Sequence, residues 1–62
     1  MLPPDEMRSK AEQCDRMAAK ARDEQIAFFF REAADHWRAM AAQLDLLEQE
    51  QVYRIIRGRS NN

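Results

Sequence analysis

Apolar residues recur along the first third of the chain at helical spacing. Met7, Ala11, Cys14, Ala18 and Ala21 alternate steps of four and three and form one stripe, with Met17 at its edge. Arg8, Lys10, Glu12, Gln13, Asp15, Arg16 and Lys20 fill the remaining circumference. Continuing the stripe at the same spacing selects Gln25, Phe28, Glu32 and Asp35, three of them polar. The apolar pattern instead restarts at Ile26 and Phe30, displaced by one residue, or about 100° around a helix. A break near Arg22-Asp23-Glu24 repairs the phase. Asp23 suits the N-cap of a second helix and Glu24 its first turn. No glycine or proline marks this turn, so a single bent or continuous helix is the alternative.

From Ile26 to Ile56 the residues read as one long helix. Its main stripe is Ile26, Phe30, Ala33, Trp37, Met40, Ala41, Leu44, Leu47 and Ile55. A thinner stripe of Phe28, Leu46 and Tyr53 lies on roughly the opposite side. A helix apolar on two sides needs more than one neighbour.

The predicted fold is all-α: an antiparallel two-helix hairpin with a longer second helix. A lead over residues 1–4 precedes a single hairpin domain over 5–57, with helix one at 5–21 and helix two at 24–57. Residues 58–62 form a tail. Pro3 and Pro4 suit a helix entry, Asp5 and Glu6 its positive end, and Gly58 a C′ position after Arg54 and Arg57.

Folding about residue 23 brings small residues onto large ones: Ala21 near Ile26, Ala18 near Phe30, Cys14 near Ala33, Ala11 near Trp37 and Met7 near Met40. The predicted core is therefore Met7, Ala11, Cys14, Ala18, Ile26, Phe30, Ala33, Trp37 and Met40. Helix one spans about 27 Å and helix two about 50 Å, so the last turns overhang. The residues expected to contact a second copy or another protein are Phe28, Leu44, Leu46, Leu47, Val52, Tyr53, Ile55 and Ile56. A homodimer, as a four-helix bundle or coiled coil, is the simplest cover; a subunit role in a larger complex is the alternative.

Composition strengthens this picture. Sixty-two residues make a marginal single core, and one cysteine allows no internal disulfide. The lone thiol fits a reducing, cytoplasmic setting. Ten basic and eleven acidic residues leave a net charge of −1, with no general pull toward nucleic acid or anionic membrane. The N-terminus lacks the features of a signal peptide, and the longest apolar run, Ile26 to Phe30, is far too short for a membrane span.

Candidate chemistry is sparse, and neither a catalytic residue nor a cofactor is assigned. Glu32 and His36 share a helix face and Asp35 lies between them, with Cys14 as a possible soft ligand from helix one. The Glu-x-x-His pattern of helical carboxylate sites is missing, because Ala33 precedes His36 by three. A histidine bonded to a neighbouring carboxylate is the simpler reading. Cys14 reads as a small packed hydrophobe. Arg54, Arg57 and Arg59 beside Tyr53 form the only basic cluster. It reads as a helix C-terminus complementing its own dipole rather than a nucleic-acid patch.

The segments Lys10 to Ala19, Ala21 to Glu24 and Ala33 to Ala41 share a pattern: A-E-x-C-x-x-(M/L)-A, a short A-x-D break, then A-x-x-W-x-x-(M/L)-A. In this the chain resembles a group of small bacterial helical proteins to which no activity is assigned. The resemblance covers about residues 7–44 and implies the same helical hairpin.

Overall fold

The computed structural model describes residues 2–60, and for residues 52, 53 and 56–60 the backbone path only. It contains two helices, α1 (Pro4–Lys20) and α2 (Glu24–Ser60), and the described residues include no strand.

α1 begins where the sequence makes a helix start inexpensive. Pro3 is extended (φ −69°, ψ 159°), and its carbonyl accepts the first helical bond from the Met7 N–H at 3.1 Å. Pro4 occupies the first turn, where its missing N–H has no partner to lose. Asp5 and Glu6 follow at the positive end of the dipole. The helix stops at Lys20, one residue short of expectation. Ala21 turns to extended backbone (ψ 137°), and its N–H closes on the Ala18 carbonyl at 3.2 Å.

Residues 21–23 turn the chain without a glycine or proline. Asp23 restarts it: its carboxylate accepts from the Gln25 N–H at 2.7 Å, and its carbonyl accepts from the Ala27 N–H at 2.9 Å. That is N-capping by a side chain, as the break in phase predicts. α2 then runs for 37 residues. It passes through the expected stop at Gly58 and remains helical to Ser60. A glycine inside a helix costs about 1 kcal/mol relative to alanine and breaks nothing by itself.

The helices are antiparallel, since Arg8 near the start of α1 reaches Asp45 deep in α2 at 2.9 Å. Their seam follows a seven-residue repeat. Ala11 and Ala18 on α1 pack with Ala27, Ala34 and Ala41 on α2, and all five are buried. Beside them run Met7, Cys14 and Ala21 on α1 and Phe30, Trp37 and Leu44 on α2. Of these only Met7 is buried. Alanine on both sides lets two helices approach to the short end of the usual interaxial range of about 8–10 Å.

The seam corrects the predicted core at two positions. Ile26 is 50% exposed and Met40 41% exposed, so neither is core within the hairpin. The apolar stripe of α2 is wider than α1, and α1 docks on its alanine edge instead of its centre. Ala27 and Ala34, absent from the predicted core, occupy the buried positions instead. No large side chain is fully buried among the described residues.

The molecule is a rod of 61 × 15 × 15 Å with a radius of gyration of 16.9 Å. A compact chain of this length has about 11 Å. The excess comes from α2, which outruns α1 by 20 residues. From Leu46 onward every described side chain of α2 is exposed.

Candidate interaction surface

The hairpin has two unlike flanks. On one, every seventh residue is charged: Arg8 and Asp15 on α1, Arg38 and Asp45 on α2. Arg8 donates to Asp45 at 2.9 Å, and Arg38 donates to Asp15. Each arginine is also held by a carboxylate of its own helix, Arg8 by Asp5 and Arg38 by Asp35. The hydrogen bond that Arg8 donates to Asp5 first, and then the one it donates to Asp45, raises its pKa above the ordinary value. Near the turn Arg31 pairs with Glu24 at 2.7 Å. These groups are about half exposed or more, and such bridges contribute at most about 1 kcal/mol each. Their geometry nevertheless closes this side of the seam with paired charge.

The other flank is apolar. Ile26, Ala33, Met40 and Leu47 recur every seven residues along α2, with Met17 exposed on α1. Phe30, Trp37 and Leu44 lie between this column and the alanine seam and are each half-buried. Where α1 begins, the flank opens into a groove of about 300 Å³ lined by Met7, Met40, Gln43, Leu44 and Leu47. Its wall is almost wholly hydrocarbon. Leu47, at its far end, is 54% exposed. Exposed large apolar residues set singly on a surface are ordinary, whereas a continuous column beside a groove makes this flank the candidate contact surface.

The expected contact residues divide between two places. Leu44 and Leu47 belong to the apolar flank and its groove. Phe28 and Leu46 are exposed on the side of α2 away from the seam, and Ile55 is exposed in the overhang. The expectations for Val52, Tyr53 and Ile56 fall on side chains outside those described. In the phenylalanine run, Phe30 turns inward. Phe29 stays exposed and meets it edge to face, ring centres 5.7 Å apart and planes at 82°.

The other candidates come together less. Glu32 and His36 are exposed, Cys14 is half-buried in the seam, and no three described His, Cys, Asp or Glu residues cluster as metal ligands would. Arg54 pairs with Glu50 of the preceding turn at 3.4 Å. None of the described helices is long and apolar enough to cross a membrane.

Sequence reasoning overlooked Ala27 and Ala34 and the flank pairs Arg8–Asp45 and Arg38–Asp15. Two signals identify them. Alanine recurs at 27, 34 and 41 in step with 11 and 18. Opposite charges stand at 8 and 15, then again at 38 and 45 in the same Arg-then-Asp order, which an antiparallel pair brings face to face. Compared with known proteins, the chain matches no family model, no curated protein and no solved structure.

Proposed function

We propose that this chain works by helix-to-helix association, first with a second copy of itself, as a small adaptor, regulator or accessory subunit rather than as an enzyme. One observation carries the reading: a hairpin whose own core is alanine and one methionine leaves Ile26, Met40 and Leu47 uncovered in a column. Covering each of those side chains is worth about 1.5–3 kcal/mol. For a two-helix chain with so small a core, that is a large share of attainable stability. The lone thiol and the absence of any disulfide suit a reducing cytoplasm. The resemblance to small bacterial helical proteins is part of the same proposal and adds no activity to it.

Light scattering across a range of concentrations tests this reading, alongside the double variant Met40→Glu, Leu47→Glu. The expected result is a stable dimer for the natural chain, and a helical monomer for the variant, with helicity followed by circular dichroism. A natural chain that scatters as a monomer at every concentration would remove self-association.

A further inference from the structure

The apolar flank is unlike at its two ends. Toward the turn it carries projections: Met17 on α1, with Ile26 and Phe29 on α2, all exposed. Toward the start of α1 it carries the groove of Met7, Met40, Leu44 and Leu47. Ile26 precedes Leu44, and Phe29 precedes Leu47, by about five whole helical turns, or about 27 Å. Each projection on α2 therefore stands in the direction of a groove residue farther along the same helix. Charge is ordered along α1 on this side as well. Glu6, Gln13 and Lys20 stand one seven-residue repeat apart, with acid at one end, base at the other and a neutral amide midway. Met7 lines the groove with Met40 and Leu44, which sets it level with about residue 42 of α2. Counting back along antiparallel helices sets Gln13 level with about residue 36, halfway between Ile26 and Leu47.

Resting on the self-association reading above, we infer that two hairpins pack flank to flank and antiparallel, about a two-fold axis at the level of Trp37 and Gln13, each laying Ile26 and Phe29 in the other's groove. Ile26 then faces the partner's Leu47, Phe29 the partner's Leu44, and the small Ala33 the partner's Met40. A parallel pair would bring the projections of both copies to one level and both grooves to another, bulk against bulk and hollow against hollow. The charge order on α1 favours the same choice. Antiparallel about Gln13, Glu6 meets the partner's Lys20 at each end of the bundle. Lys10 lies at this edge, with its stem along the partner's Met17 and its ammonium in water. Gln43 and His36 stay on the outer rim of α2, where both are exposed. The contact ends at Leu47, so the remainder of α2 passes the partner's turn and takes no part in it. One patch serves on both copies, and the assembly closes at two.

Cross-linking of the full chain in a Cys14→Ala background tests the arrangement. Ile26→Cys and Leu47→Cys are made as separate chains and oxidised with copper-phenanthroline. An equimolar mixture should give a covalent dimer on a non-reducing gel. Either chain alone should not, because its two thiols would stand about 30 Å apart along the bundle. Phe29→Cys and Leu44→Cys form a second pair with the same expectation, and light scattering under reducing conditions identifies which chains still dimerise. In the natural background Glu6→Lys should loosen the dimer by up to about tenfold, and Glu6→Lys with Lys20→Glu should restore it. A dimer whose Ile26→Cys or Leu47→Cys chain cross-links to itself as readily as to the other would overturn the antiparallel arrangement while leaving self-association standing. So would a charge reversal that leaves the dimer as loose as Glu6→Lys alone. A monomeric natural chain would remove both.

Discussion

The two flanks of this hairpin border the same seam and share the same seven-residue repeat, yet one is closed and the other open. On the closed flank Arg8, Asp15, Arg38 and Asp45 form reciprocal bridges between the helices. On the open flank Ile26, Met40 and Leu47 face solvent and Met17 stands bare across from them. Exposed charge pairs add little stability, but they occupy the flank with hydrated groups that a second helix would have to desolvate. Apolar side chains in water carry the opposite bias. The difference teaches that, in the self-association we propose, the direction of assembly follows from which flank is left apolar, rather than from the seam that forms the hairpin.

The most damaging test of the comparison strikes the seam that both flanks share. Ala34 is fully buried, and Ala34→Phe should force the helices apart, lowering stability by at least about 1–3 kcal/mol. On a hairpin this small, thermal denaturation should show a much-reduced or absent transition. Asp23→Ala removes the side-chain cap that begins α2 at a turn lacking glycine and proline. It should cost about 1 kcal/mol, read as a lower melting temperature. A double-mutant cycle on Asp15→Ala and Arg38→Ala should return a coupling of no more than about 1 kcal/mol, shrinking with added salt. A coupling of several kcal/mol would show that the closed flank stabilises far more than its exposure allows. The smallest effect should come from Ile26→Gln. If that residue lies outside the hairpin core, stability measured on a monomeric Leu47→Glu background should change by less than about 0.5 kcal/mol.

Much of the architecture was legible because the chain states it locally. Helix-forming residues dominate both segments, the apolar phase slips once between Ala21 and Ile26, and Asp23 stands where the slip needs a cap. The identity of the seam was harder to read. Large side chains dominate any estimate of an apolar face, so the stripe through Ile26, Trp37 and Met40 drew the predicted interface toward itself. Alanine contributes little transfer energy, but it permits the closest backbone approach, and shape decided the docking edge. The end of α2 was misread for a different reason. Gly58 reads as a stop, yet a glycine ends a helix only where the following chain turns away and uses its freedom. The candidate metal residues never converge, because Glu32 and His36 share an exposed face of α2 while Cys14 sits at the seam.

An alanine seam is a poor ruler. Its contacts repeat every seven residues, so sliding α2 by one repeat sets alanine against alanine again and erases almost no packing information. The flank charges supply the missing marks. A slip in one direction would bring Arg8 toward Arg38, offset in part by Asp15 nearing Arg31, and a slip in the other would bring Asp15 toward Asp45 and Arg22 toward Arg38, like against like. The bridges that add so little to the depth of the energy well thus make the neighbouring wells costly. The three-residue turn at 21–23 limits how far the helices can slide, and the charge order along them favours the same alignment.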